Sequence, residues 1–221
     1  WAAQSGLRAV NMSRAGFKGP ATVFEGVHGF FRAFAPSVSP DFSVLITDLG
    51  KRWVATRIAF KPFACGTMTQ PFVDCAIRLA RLGIRSDQIT ELQCSVGGGT
   101  VHRLWEPLEL KRKPPTAYAA KFSTPYCIAI SFLHGDAGLA EFSDELIKDP
   151  EVIALANRVT YTVDPDDEYP NNYTGQIRAI LTNGKKIKER QAHLRGGGRE
   201  PLQRSELIAK CAANLRYGGA D

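Results

Sequence analysis

The sequence predicts an α+β fold, a two-layer sandwich with a mostly antiparallel sheet at about 53–194, and three observations carry that reading. Apolar and polar residues alternate over five short segments, the period of a half-buried strand. Helical-period segments gather before, between and after those strands rather than alternating with each of them. Asn183-Gly184 sits between the last two strand segments, where it marks a hairpin.

Each element follows in order. Residues 2–15 read as a helix closing at Gly16. Residues 20–34 read as a second helix, with Pro20 tolerated in its first turn and Val23, Phe24, Val27, Phe30, Phe31 and Phe34 forming a core-facing stripe. Pro36 and Pro40 break the chain before a short helix or turn at 42–49. Val54, Thr56, Ile58 and Phe60 alternate as the first strand, ending at Lys61-Pro62, and a helix follows over 71–82. Leu92, Cys94 and Val96 give the second strand, running into Gly97-Gly98-Gly99. Residues 104–117 read as a long surface loop, 121–133 as an apolar helix, and 151–156 as a helix capped by Asp149. Strands at 158–163, 177–181 and 185–192 complete the sheet, and a last helix covers 205–215 with Leu207, Ile208, Cys211 and Leu215 on one face. The helices outside 53–194 belong to, or complete, a separate helical unit.

Composition bounds the function. With 221 residues, 44% hydrophobic and 23% charged, the chain can bury a sizeable core. Its longest apolar run, at 126–133, falls far short of the ~20 residues that span a bilayer, so no membrane is expected. The first residue is Trp1, which reads as a processed, truncated or partial chain. Five cysteines, most in apolar settings and without a C-x-x-C pair, read as reduced core thiols of a cytoplasmic protein. Neither they nor the four histidines have metal-ligand spacing, so no metal and no cofactor are expected. The net charge of +6 is dispersed, apart from Lys111-Arg112-Lys113 and 185–190. That balance suits a small anionic substrate, and without a basic stripe carrying aromatic platforms no nucleic acid is expected.

Several stretches resemble the MmgE/PrpD family, which includes 2-methylcitrate dehydratase, cis-aconitate decarboxylase and iminodisuccinate epimerase. They are Ala2-Ala3-Gln4-Ser5-Gly6-Leu7, Gly16-Phe17-Lys18-Gly19-Pro20 and Phe60-Lys61-Pro62-Phe63, then Val101-His102-Arg103-Leu104 with Glu106-Pro107. Lys121-Phe122-Ser123-Thr124-Pro125-Tyr126, Asp149-Pro150-Glu151-Val152, Asn183-Gly184 and Pro201-Leu202 continue the pattern in order. Gln203 departs from it, where the family more often has a hydroxyl cap, and Arg204 and Ser205 are expected to shift that cap. The resemblance implies that 1–52 is the end of a helical N-terminal domain, 53–194 the α+β C-terminal domain, and 195–221 a linker and helix packing back on the helical part. It also implies a homodimer, and an active site between the domains of which this chain supplies one wall.

The chemistry the resemblance implies is proton removal beside a carboxylate of a small di- or tricarboxylate, followed by loss of water, loss of carbon dioxide, or reprotonation. A carbon acid that weak needs a base in reach and fixed positive charge where negative charge builds. Lys61 falls on the family's active-site lysine; an exposed lysine at a strand end is the plainer reading. His102 is the second candidate, with an acid/base range suited to neutral pH, against a structural histidine under a loop. Cys65, Gly66 and Thr67 are candidates to line the pocket through backbone N–H groups. Arg103, and less directly Arg112, are candidates for carboxylate pairing, against simple surface charge. The two glycine runs read as a flexible loop and a linker, since neither has the ending of a phosphate-binding loop.

Overall fold

The computed structural model describes residues 1–36, 39 and 41–220; Pro40, expected as a breaker, lies outside them. The chain divides into two compact units, Trp1–Val54 and Ala55–Asp221.

The first unit holds α1 (Ala2–Arg14) and the five-residue α2 (Phe30–Phe34). Ala15 and Gly16 close α1, with Gly16 at φ 90°. The helix expected over 20–34 forms only in its last turn and a half. Gly26 and Gly29 each cost a helix about 1 kcal/mol relative to Ala. Val23, Phe24 and Val27 stay exposed, so the expected core stripe is an open apolar surface. The rings pack among themselves instead, with Phe31 edge-on to Phe30 and Phe42 at 5.5 and 5.4 Å.

Residues 54–60 are not a strand: Val54–Arg57 is a 3-10 turn, and Val54, Ile58 and Phe60 are exposed. Strand propensity without a neighbouring strand is too weak to hold an extended backbone. Regular structure begins at α3 (Gln70–Arg81), which stops before Gly83 at φ 79°. Then come β1 (Ile89–Val96), α4 (Val101–Leu104), α5 (Leu108–Arg112), α6 (Ala117–Ala120), α7 (Thr124–His134) and α8 (Pro150–Ala156). After them come β2 (Val159–Val163), β3 (Gly175–Leu181), β4 (Lys186–Gln191) and α9 (Arg204–Tyr217).

The four strands form one mixed sheet in the order β2-β1-β3-β4. The expectation of a mostly antiparallel sheet holds for β1 with β3 and β3 with β4, whereas β1 and β2 run parallel. That parallel pair follows from its connection, because the helices between β1 and β2 carry the chain back to the starting end. In register, Leu92 faces Ala179 and Val159, and Cys94 faces Ile177. All five are buried and form one apolar face, while Gln93, Arg178 and Lys188 share the polar face. The hairpin at Asn183-Gly184 forms, but with positive φ only at Gly184 (81°). The Asn183 side chain instead accepts from the Lys185 N–H at 3.0 Å.

Helix α3 packs on β3 and β4 and meets α7, which in turn packs against α5 and α8. Apolar on every side, α7 buries each residue from Thr124 to Phe132. Residues 104–117, expected as a surface loop, are largely exposed or half-buried, but Leu104, Trp105 and Pro114 enter the core. Leu104 and Trp105 are buried, and the Trp105 ring stands edge-on to Phe72 at 5.4 Å and against Tyr161 at 5.2 Å. Asp149 caps α8 as its sequence implies, accepting from the Glu151 and Val152 N–H groups at 2.7 and 3.2 Å. Gln203 itself is the N-cap of α9, its N–H donating to the Glu206 carboxylate at 2.7 Å, so the cap does not shift to Arg204 or Ser205.

Candidate functional site

Lys61 lies in irregular chain, not at a strand end, and what holds it there is a set of contacts from both sides. Before it, the Phe60 N–H donates to the Gly196 carbonyl at 2.9 Å. After it, the Lys210 ammonium reaches the Pro62 carbonyl at 3.4 Å. Lys61 is exposed, and its ammonium folds back to the Cys65 carbonyl at 3.4 Å. The buried Gln70 carboxamide donates to the same oxygen at 3.4 Å, leaving its own Oε1 without a hydrogen-bond partner.

The three residues after Ala64 are held from behind. Cys65 is buried, next to the buried Cys127 thiol, which desolvation pushes well above its ordinary range. The Gly66 N–H is already committed to the Lys121 carbonyl at 2.8 Å, so it is not a free donor. Thr67, half-buried, opens a 3-10 turn (Thr67–Thr69) that runs into α3. Behind that turn the Thr69 and Thr124 hydroxyls share a hydrogen bond of 3.0 Å.

His102 and Arg103 lie on α4 and are both exposed, while the next residue, Leu104, is buried. Leu104 abuts Gly66 closely enough that a Cβ there would meet its Cδ2 at 3.4 Å. A second link runs through Lys111, whose ammonium donates to the Arg103 carbonyl at 2.7 Å and the Phe122 carbonyl at 2.9 Å. Phe122 follows Lys121, the residue that receives Gly66. The structure therefore joins the Lys61–Thr67 segment to the His102-Arg103 helix through Leu104, Lys121 and Lys111. Burial lowers the Lys111 pKa from the usual lysine value. Arg112, by contrast, is spent on structure, donating to the Val159 carbonyl at 2.8 Å and pairing with Glu109 at 3.1 Å.

Neither glycine run is a loose tether. A Cβ at Gly97 would meet Asp167 Oδ1 at 2.3 Å, and one at Gly99 would meet the Tyr169 ring at 2.5 Å. The first run is thus packed beneath residues 167–169 and continues as a 3-10 turn (Gly98–Thr100) into α4. Gly196, at φ 88°, would bring a Cβ to 2.0 Å from the Phe60 carbonyl oxygen. Among the described residues no group of three or more His, Cys, Asp or Glu is placed to hold a metal ion. No helix there is long and apolar enough to cross a membrane.

Sequence reasoning passed over two features. One is Lys111, which in sequence is part of a basic run and whose spacing from Arg103 and Phe122 carries no local signal. The other is a cavity of about 780 Å³ between α3, residues 135–141 and α9, beside Pro62 and Phe63. Its charged lining includes Asp74, Arg195 and Glu206: Arg195 bridges Asp74 at 2.8 Å and Glu206 at 2.6 Å, with its guanidinium 5.2 Å from the Phe63 ring centre. Lys61, His102 and Arg103 do not line it.

The family model of the MmgE/PrpD C-terminal domain matches residues 63–220. No curated protein matches the chain.

Proposed function

Because this chain belongs to the MmgE/PrpD family, we propose that it supplies one wall of a lyase active site that dehydrates a small hydroxy-polycarboxylate resembling 2-methylcitrate. Proton abstraction next to a carboxylate starts the reaction. Lys61 and Arg103 supply fixed positive charge to the carboxylates, and His102 serves as the acid or base. The segment 65–67 shapes the floor. The reaction needs no metal, since the cations hold the developing charge.

One observation carries this reading. The Lys61–Thr67 segment and the helix bearing His102 and Arg103 are tied together in one piece of structure, and their charged side chains remain open on its surface. A surface of that kind suits a site closed by a second wall, which in this reading is a helical domain. The exposed apolar residues of α2 and α9, among them Phe34, Ile208 and Leu215, support self-association, and we propose a homodimer. Decarboxylation or epimerisation would use the same groups.

The test is a panel of hydroxy- and unsaturated polycarboxylates offered to the protein encoded by the complete gene, with chelator present. Dehydration that Lys61→Ala lowers at least about a hundredfold supports the assignment, a loss typical of removing a group that stabilises developing charge. Undiminished turnover in that variant rejects it.

A further inference from the structure

We infer that Lys111 is a further anion-binding residue of this site, and that its third ammonium proton donates to a carboxylate of the polycarboxylate held by Lys61. The inference rests on the proposed function and adds a residue to it. Lys111 stands apart from the neighbouring cations in three respects.

The first is geometry. Two of its three N–H donors are fixed by carbonyl oxygens at 2.7 and 2.9 Å, one from Arg103 and one from Phe122. An ammonium has three donors, so one is left over. The second is charge. Carbonyl oxygens hold a cation without neutralising it, and among the described residues no carboxylate lies within ion-pair distance of Lys111. Half-withdrawn from water, that charge is costly until an anion meets it, and burial already lowers its affinity for the proton.

The third is position. One carbonyl belongs to Arg103 on the candidate helix. The other belongs to Phe122, beside the Lys121 oxygen that binds Gly66. Lys61 meets the segment 65–67 at the Cys65 carbonyl, and Lys111 is tied to that segment indirectly, through Phe122 and the adjoining Lys121–Gly66 hydrogen bond. A multiply charged carboxylate needs more than one cation, and a lysine held by two prior bonds loses little freedom on binding it. The plainer reading is a strut that joins α4 to the start of α7. A strut predicts the same two bonds but no response to an anion.

Competitive acetylation of the whole chain separates the two readings, with propane-1,2,3-tricarboxylate as an inert probe. Rates are read lysine by lysine from peptide masses, using the exposed Lys185 and Lys186 as internal references. Saturating probe is expected to slow acetylation at Lys111 by about tenfold, the effect of one charge-assisted hydrogen bond. Lys61 is expected to slow with it while the references stay unchanged. Protection of Lys61 without Lys111 overturns the inference and leaves the proposed function standing. Protection of neither overturns both. Lys111→Met is a second arm, in which the protection of Lys61 is expected to weaken; Lys61 protection equal to that of the parent chain counts against a role for Lys111.

Discussion

The Phe60 N–H donates to the Gly196 carbonyl at 2.9 Å, and the Phe60 carbonyl oxygen occupies the space where a Cβ of residue 196 would stand. The residue immediately before Lys61 is thus clasped by a backbone 136 positions later, and only glycine allows the approach. Gly196 sits at φ 88°, which an L side chain adopts only with strain.

Gly196→Ala is therefore expected to destabilise the second unit by more than the ~1–2 kcal/mol of a left-handed alanine alone, since the clash adds to it. Urea unfolding measures the loss. A variant as stable as the parent would show that the clasp is not formed in solution.

The ion pair of Asp74 with Arg195 gives a pH-dependent expectation. Asp74 is nearly buried, and desolvation raises its pKa above the ordinary carboxylate value despite the attraction of Arg195. A raised carboxyl pKa means that the folded chain holds the proton more tightly than the unfolded one. Its stabilising contribution is full below the unfolded pKa and is lost as pH rises through the folded one. Arg195→Met removes the cation hydrogen-bonded to Asp74, so that shift should widen. The variant is expected to lose on the order of 3 kcal/mol at pH 7 and clearly less at pH 4. Equal losses at the two values would contradict the assignment.

Thiol reactivity follows from burial. Desolvation pushes Cys75 up to about 12 and Cys94 and Cys127 well above the usual thiol range, and Cys65 is covered as well. Cys211 alone is exposed among the five. Ellman's reagent on the folded chain at pH 8 should titrate one thiol quickly and the remaining four only after unfolding. Two or more fast thiols would show that the core opens at one or more of the four buried cysteines.

Trp105 tests the corrected reading of residues 104–117. It is fully buried between Phe72 and Tyr161, and Trp105→Ala is expected to cost roughly 3–5 kcal/mol. Chemical denaturation followed by circular dichroism reports the change. A surface loop would lose less than about 0.5 kcal/mol.

Much of the fold is legible in the sequence where the signal is local. The alternation of Leu92, Cys94 and Val96, the Asp149-Pro150 cap and stop signals such as Gly83 act within a few residues, so the chain itself determines where β1, α8 and the end of α3 fall. The same local reasoning misplaces residues 54–60 and 20–34, because alternation and helical period state only what a segment could become. Without a partner strand or a covering layer, neither segment recovers the entropy of ordering.

The candidate site divides along the same line. Lys61, His102 and Arg103 are legible as residue types in motif positions, with exposure the plainer reading for Lys61 and Arg103. Tertiary structure alone decided that Gly196 closes on Phe60, that Gly66 gives its N–H to Lys121, and that Lys111 reaches two carbonyls at once. Two of these contacts join residues far apart in the chain, and all three depend on how turns and helices pack, for which the sequence has no local period. The chain determines which elements form; the burial of α7 and the packing of α3 on β3 and β4 decide which polar groups meet, because buried donors and acceptors must find partners that only the folded chain brings within reach.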